Sequence, residues 1–130
     1  MLLGRNDVNP NKSAYFGRTP LSFASENGHE GVVRVLLERN DVNPDKPNLR
    51  RRTPLSLASG GGHVGVVRML LELNEVIPDG PDEGGRTPLS WTSEGGHVEV
   101  VKMLLERSDV NPDRQDEQGR TPLWWASMKG

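Results

Sequence analysis

The sequence contains no cysteine, few aromatic residues and no long hydrophobic run, and each shortage excludes a class of protein. Without cysteine there are no disulfides and no thiolate metal sites, which fits an intracellular, cytoplasmic or nuclear location. Aromatic residues make up 5% and hydrophobic residues 33% of the 130 residues, which excludes a deep core of many layers. No apolar run approaches the roughly 18 residues of a membrane-spanning helix, so a membrane is not an expected partner. Nucleic acid is not expected either, because 16 basic and 18 acidic residues leave a net charge of −2.

What the sequence has instead is an internal repeat of constant period. Thr-Pro-Leu-Ser begins at Thr19, Thr53 and Thr87, Thr-Pro-Leu begins at Thr121, and each start lies 34 residues after the previous one. A Gly-His pair, a pair of valines and a Leu-Leu-Glu triplet recur in the same register. Such a period indicates a tandem array. We divide it into complete repeats at 17–50, 51–84 and 85–118, between partial repeats at 1–16 and 119–130.

Within one repeat, the local chemistry predicts two short helices followed by a long loop. Thr19 is suited to cap the first helix and Pro20 to occupy its first turn. Gly28 is suited to end that helix, and His29 to open the second one. The prolines after the second helix block its continuation. In the later repeats, an Asp-to-Gly tetrapeptide at 82–85 and 116–119 predicts a type I turn that closes a β-hairpin.

A single repeat is too small to fold alone. It offers about four or five large apolar side chains, each worth roughly 1.5 to 3 kcal/mol when buried. Ordering its backbone costs about 1 to 2 kcal/mol for every residue. Stacked neighbours cover each other's apolar stripes, so the sequence predicts a single, mainly α solenoid of helix-turn-helix units joined by hairpin-like loops.

The repeated residues closely resemble the ankyrin repeat across essentially the whole chain. The resemblance lies in Thr-Pro-Leu, the Ala-Ser step, Gly-His, the paired valines, Leu-Leu and the Asp-Val-Asn ending. It implies L-shaped units of a β-hairpin and two antiparallel helices, whose turn tips and first helices line a concave surface that binds other proteins. The long Asn-Pro-Asp loop is similar to that of extended arrays in fungal signalling proteins.

The sequence departs from that family in three places. The period is 34 residues, where the family usually has 33, and the difference falls in the loop. The histidine of the family's Thr-Pro-Leu-His is serine at Ser22, Ser56 and Ser90, so the imidazole bond between neighbouring hairpins is lost and a local serine bond is expected. The turn at 48–51 lacks a glycine, which we expect to strain or reshape it.

The resemblance implies a non-catalytic adaptor, and the residues offer no strong competitor. Gly60 to Gly65 fits the G-x-G-x-x-G pattern of dinucleotide-binding domains, but no strand is predicted before it, and it aligns with the turn between the two helices. His29, His63 and His97 lie one repeat apart, too far to share a metal, so each is expected to bond backbone near a helix start. No enzyme activity, cofactor or metal is expected. A nucleotide-binding or enzymatic domain stays as the alternative from another class.

An arginine precedes the threonine of every repeat, and stacking places these four side chains in a row that we call the arginine ladder. Two interpretations are open. In the first, each guanidinium pairs with a loop carboxylate for about 0 to 1 kcal/mol. In the second, part of the ladder recognises an acidic or phosphorylated segment. The arginines are Arg18, Arg52, Arg86 and Arg120, and the candidate carboxylates are Asp45, Asp79, Asp82, Asp113 and Asp116.

Residues of the turn tips and of the exposed ends of the first helices are the contact positions that the resemblance implies. Tyr15, Phe16 and Leu49 are apolar where solvent is expected, and either anchor a partner or pack on the neighbouring loop. With the ladder included, the predicted partner-binding residues are Tyr15, Phe16, Arg18, Glu26, Asn27, Leu49, Arg50, Arg52, Glu83, Arg86, Glu94, Glu117, Gln118 and Arg120.

The predicted function is therefore a protein-interaction scaffold whose partner is another protein. A structural spacer within a larger signalling protein is the nearer alternative. The array starts inside a second helix at Leu2-Leu3 and stops inside a first helix at Trp124-Trp125, which favours a piece of a longer array. Exposed apolar ends, with both tryptophans at the surface, are expected to promote self-association.

Overall fold

The computed structural model describes residues 8–129, which form seven helices and contain no strand. The expected helix start at Leu2-Leu3 lies outside this range. A short 3₁₀-type turn at Tyr15–Gly17 precedes the helices. The helices are α1 Pro20–Glu26, α2 Glu30–Leu37, α3 Pro54–Gly60, α4 Val64–Leu71, α5 Pro88–Gly95, α6 Val98–Leu105 and α7 Pro122–Lys129. None of these helices has the length and apolar content needed to cross a bilayer.

Each first helix begins at the threonine and proline that the sequence marked. The Thr19 Oγ1 accepts a hydrogen bond from the Ser22 backbone N at 3.1 Å, and the Thr19 backbone N donates to the Ser22 Oγ at 2.9 Å. Thr53 and Thr87 accept the same bond, at 3.2 and 3.3 Å. These bonds satisfy backbone donors that a helix start leaves free. Serine therefore bonds locally, as predicted.

The turn from the first to the second helix also follows the sequence prediction. Gly28, Gly62 and Gly96 have φ of 71°, 71° and 70°, in the left-handed region that glycine adopts without penalty. A histidine then stands at the start of each second helix.

The two helices of successive repeats form two rows. First helices contact one another in the order α1, α3, α5, α7, and second helices in the order α2, α4, α6. A continuous apolar core runs between the rows. Its fully buried members include Leu55, Val67, Leu70 and Leu104. Because every repeat contributes to this core, burial depends on the neighbours, as in other solenoids.

Turns are present where the hairpins were expected, but they carry no strands in residues 8–129. At the third turn, the Asp82 backbone N donates to the Arg86 O at 2.9 Å and the Gly85 N to the Asp82 O at 3.0 Å. Among the described residues, a single backbone bond joins this turn to the preceding one, from the Glu83 N to the Arg50 O at 2.9 Å. Single bonds of this kind do not pair two strands, so the prediction of β-hairpins was wrong and the segments are turns without strands.

The glycine-free turn at 48–51 is strained and not reshaped, the first of the two outcomes that the sequence left open. Arg51 has φ 62°, although the equivalent positions of the other turns are Gly17, Gly85 and Gly119, with φ of 72°, 78° and 77°. An L-residue in the left-handed region carries a steric cost between its Cβ and the backbone. The repeat therefore keeps the turn geometry and places an unfavourable residue in it.

The C-terminal end differs from the sequence prediction. Trp125 is buried, with 8% of its surface exposed, because it lies against Arg86 and Arg120. Trp124 is 42% exposed, as predicted. Leu123 is the main apolar group at this end, 77% exposed, whereas its equivalent in the preceding repeat, Leu89, is buried.

Candidate functional site

Arginine and tryptophan side chains alternate along the face formed by the first helices. The Arg52 guanidinium lies 3.9 Å from the centre of the Trp91 ring, and the Arg86 guanidinium lies 3.6 Å from the same ring. Arg86 also lies 3.6 Å from the Trp125 ring, which Arg120 approaches at 4.4 Å. Cation–π attraction favours each of these contacts. The face that carries this stack is called the ladder face below.

Two aspartates fix the tryptophans. The Trp91 Nε1 donates to the Asp82 Oδ2 at 2.8 Å, and the Trp125 Nε1 donates to the Asp116 Oδ2 at 3.1 Å. The Asp116 carboxylate also accepts from the Arg120 Nε at 3.1 Å. Burial alone raises the pKa of Asp116, but its bonds from Arg120, Trp125 and the Gln118 backbone outweigh burial and hold the pKa below its usual value. The aromatic rings are thereby held in one orientation.

The expected pairing of the ladder with loop carboxylates is confirmed for Arg120 alone, whose partner is Asp116. Arg86 pairs instead with Glu94 of its own repeat at 2.8 Å, and Arg18 lies 4.0 Å from Glu26. The loop carboxylates serve a different purpose, since Asp45 accepts from the Ile77 backbone N and Asp79 from the Asn111 backbone N. Asp79 also lies 3.6 Å from Arg114, so these aspartates tie one loop to the next.

Arg52 is the ladder arginine without a carboxylate partner among residues 8–129. Its Nε lies 3.4 Å from the Ser56 Oγ, and its Nη2 lies 3.3 Å from the Ser56 carbonyl O. Burial lowers the pKa of Arg52, although the charges of Asp82, Glu26 and Glu94 oppose this shift. The guanidinium is thus partly withdrawn from water with few strong acceptors.

Three cavities open on the ladder face, and Arg52 lines all of them. They measure about 400, 490 and 220 Å³. These cavities bring together ten of the predicted contact residues: Phe16, Arg18, Glu26, Leu49, Arg50, Arg52, Glu83, Arg86, Glu94 and Glu117. The structure places Tyr15, Asn27, Gln118 and Arg120 outside these three cavities.

The apolar tip residues are exposed, as the anchor interpretation requires. Tyr15 is 77% exposed and Leu49 71% exposed, while Phe16 is half-exposed. Tyr15 and Phe16 stack with ring centres 4.2 Å apart, and Tyr15 lines a separate cavity of about 570 Å³ with Phe23. The backbone at these tips also joins repeats, because the Leu49 N donates to the Phe16 O at 3.1 Å.

Sequence reasoning missed Trp91 and Trp125 as parts of this face, and it assigned Asp82 to an arginine although its carboxylate accepts from Trp91. A signal was available, because a large apolar residue follows each ladder arginine by five positions, at Phe23, Leu57, Trp91 and Trp125. This shared spacing places arginine and ring on the same side of consecutive repeats.

His63 and His97 each join one repeat to the preceding one. The His63 Nε2 lies 3.0 Å from the Glu26 carbonyl O, and the His97 Nε2 lies 3.1 Å from the Gly60 carbonyl O. The prediction of a bond to backbone is confirmed for His63 and His97, whose partners lie in the preceding repeat. Residues 8–129 contain no group of three or more His, Cys, Asp or Glu that could hold a metal ion. The glycine-rich segment 60–65 ends α3 and begins α4, as the alignment with the interhelix turn predicted.

Comparison with known proteins agrees with this architecture. A family model described as ankyrin repeats (three copies) matches residues 1–79 and 73–130, which together cover the chain. No curated protein matches the sequence. Ankyrin repeats are generally protein–protein interaction modules and typically non-catalytic. The chain belongs to the ankyrin repeat family.

Proposed function

We propose that this chain is a non-catalytic interaction module that binds a partner protein on its ladder face and turn tips. The observation that carries the proposal is the stack of Arg52, Trp91, Arg86 and Trp125 beside three open cavities. Arginine and tryptophan dominate the binding energy of protein interfaces when they are held rigidly and partly shielded from water.

The chemistry of the face suits binding better than catalysis. Asp82 and Asp116 accept hydrogen bonds from the tryptophans, and Glu94 pairs with Arg86. These carboxylates are therefore engaged in holding the face in shape. A preorganised surface loses little side-chain freedom on association, so more of its contact energy appears as affinity.

Affinity capture followed by mass spectrometry tests the proposal, with two charge-balanced variants. The face variant carries Arg50→Glu and Glu117→Lys, both at exposed turn tips. The control variant carries Arg68→Glu and Glu99→Lys, both exposed on second helices. We expect a set of proteins that the wild type and the control retain and the face variant loses.

The spacer alternative makes the opposite prediction. A structural spacer retains no protein on any of the three baits, or retains the same proteins on all of them. Either outcome, with all three baits folded by circular dichroism, contradicts binding through the ladder face.

A further inference from the structure

At two positions the second repeat carries a smaller residue than its neighbours do. Five positions after each ladder arginine stand Phe23, Leu57, Trp91 and Trp125. Eight positions after the first three stand Glu26, Gly60 and Glu94. The second repeat thus has leucine in place of an aromatic ring and glycine in place of glutamate. Both residues, with Arg52, line the cavity of about 400 Å³. We call this cavity the Gly60 groove.

The glutamate that is missing here is the partner that Arg18 and Arg86 use, whereas Arg120 pairs with Asp116. Arg86 reaches Glu94 at 2.8 Å and Arg18 reaches Glu26 at 4.0 Å, each within one repeat. Arg52 has no carboxylate within 4.0 Å among the residues that the structure describes. A guanidinium presents a planar fork of donors that matches a carboxylate, and such charge-assisted bonds are stronger than its bonds to Ser56.

The Gly60 groove leaves room for a carboxylate beside the Arg52 guanidinium. A Cβ atom at Gly60 would lie 3.1 Å from the Arg52 Nη2, so a group entering over Gly60 reaches the guanidinium directly. Leu57 and Trp91 supply apolar walls. Glu26 and Glu94 line the same groove, which favours a singly charged carboxylate over a doubly charged phosphate.

We propose that the Gly60 groove receives an aspartate or glutamate side chain of a partner protein, whose carboxylate pairs with Arg52 in the place that Glu26 and Glu94 fill in the neighbouring repeats. An apolar side chain next to that acid packs on Leu57 and Trp91. The inference rests on the proposed interaction function and names the chemistry of its partner.

Selection of peptides tests the partner chemistry. Random displayed peptides of about 12 residues, long enough to lie extended along several repeats, are selected on the wild type. We expect an enriched Asp or Glu beside a large apolar residue. The best peptide is then synthesised with its acid, with the matching amide and with phosphoserine at that position. Fluorescence anisotropy measures the affinity of each form.

We expect the peptide affinity to depend on both the acid of the peptide and Arg52. Replacing the acid by its amide weakens binding about tenfold, as expected for a charged hydrogen-bonded pair. Arg52→Gln causes a similar loss, and the control Arg68→Gln, at an exposed position on α4, leaves the affinity within about twofold. Because Arg52 also stacks on Trp91, the melting of each variant is measured alongside.

A glutamate built into the groove provides an independent test that keeps Arg52 intact. Gly60→Glu supplies a carboxylate from the chain itself. We therefore expect it to weaken the affinity for the acidic peptide about ten times more than Gly60→Gln, which is uncharged and similar in size. It also melts at a higher temperature than Gly60→Gln, because the new carboxylate pairs with Arg52. Gly60→Ala controls for the gain in helix propensity at the end of α3.

Four results overturn the inference. The first three are selection without an acidic consensus, equal peptide affinity of the wild type and Arg52→Gln, and an equal loss of peptide affinity in Gly60→Glu and Gly60→Gln. Binding of the phosphoserine form about tenfold more tightly than the acid identifies a phosphorylated partner and also overturns it. The capture experiment separates these failures from a failure of the proposed function. If its face variant still loses the proteins that the wild type retains, the Gly60 groove is excluded as the acid-binding site, and the interaction function is not contradicted.

Discussion

Arg51 shows how one residue departs from the pattern of its own repeat. It adopts φ 62°, where the next two turns place Gly85 and Gly119. Its side chain is exposed, so the conformation is imposed by the turn and not by burial of the arginine. The stacking of the repeats therefore sets the turn geometry, even where the residue present does not favour it.

Replacing Arg51 by glycine is expected to stabilise the protein. Relief of the left-handed conformation is worth about 1 to 2 kcal/mol. The greater freedom of glycine in the unfolded chain offsets part of this gain. The net increase in the free energy of unfolding is then about 0.5 to 1 kcal/mol, measured by urea denaturation.

The matched control is Gly85→Ala, which introduces the same strain where none exists. A Cβ there lies 3.0 Å from the Glu117 backbone N, so the variant loses about 1 kcal/mol or more. If Arg51→Gly leaves the free energy of unfolding unchanged or lowers it, the proposed strain at Arg51 is contradicted.

Asp116 makes a second prediction at the residue scale, through pH. Its four accepted bonds, from the Gln118 and Arg120 backbone N, the Arg120 Nε and the Trp125 Nε1, favour the ionised form. Its pKa is lowered in the folded state, so the unfolded state takes up its proton first. The stabilisation is therefore complete above the unfolded pKa, near 3.8, and is lost as the pH falls through the lower folded value.

Asp116→Asn is expected to lose about 1 to 3 kcal/mol of stability near neutral pH, because its amide turns a donor toward other donors. At pH values below the unfolded pKa of the carboxyl, the difference in free energy of unfolding between wild type and variant becomes smaller. Urea denaturation followed by tryptophan fluorescence at several pH values measures both effects. Asp113→Asn, at an exposed loop position, serves as the control and leaves stability nearly unchanged.

At the scale of the element, each long loop is tied to the next by one repeated position. In the first loop, the Asn11 Oδ1 accepts from the Asn43 backbone N at 2.7 Å, while its Nδ2 donates to the Asp41 carbonyl O. In the second loop, the Asp45 Oδ2 accepts from the Ile77 N at 3.3 Å, but its buried Oδ1 has no hydrogen-bond partner. Burial raises the pKa of Asp45, and the bond from Ile77 only partly opposes this.

Asp45→Asn is therefore expected to stabilise the array near neutral pH. The amide copies Asn11, with its oxygen accepting from Ile77 and its nitrogen facing the carbonyl of Glu75, one period after that of Asp41. We expect a gain of about 0.5 to 1.5 kcal/mol for the new bond. Because the folded pKa of Asp45 is raised, the gain shrinks as the pH falls through that pKa.

Denaturation of Asp45→Asn and wild type at neutral and acidic pH measures this difference. A variant less stable than the wild type at neutral pH contradicts the reading of Asp45 as an under-satisfied carboxylate. Asp113→Asn again shows the effect of removing an exposed charge.

The helices could be predicted from the sequence because their signals are local. Thr19 and Pro20 set the start of α1, and Gly28 sets its end, through bonds that span a few residues. The contacts between repeats could not be predicted in the same way. His63 reaches a carbonyl 37 residues away, and Trp91 meets Arg52 only once the repeats are stacked. The strands were predicted wrongly, because turn residues specify the turn and not the number of bonds that follow it.

At the scale of the whole molecule, stability comes from contacts between neighbouring repeats. The core, the turn tips, the loop aspartates and the histidine bonds each join one repeat to the next. Such an array behaves as a chain of nearest-neighbour interactions. The repeats therefore advance in one direction without folding back.

Distances between turn tips measured by electron spin resonance test this central claim most directly. The chain has no cysteine, so two introduced cysteines carry the spin labels without removing any other. Pairs at Leu49 and Glu117, and at Tyr15 and Glu117, span two and three periods of 34 residues. With about 8 to 10 Å for each pair of packed helices, we predict separations of roughly 16 to 20 Å and 24 to 30 Å, broadened by the labels. A three-period distance no longer than the two-period distance would contradict the stacked array.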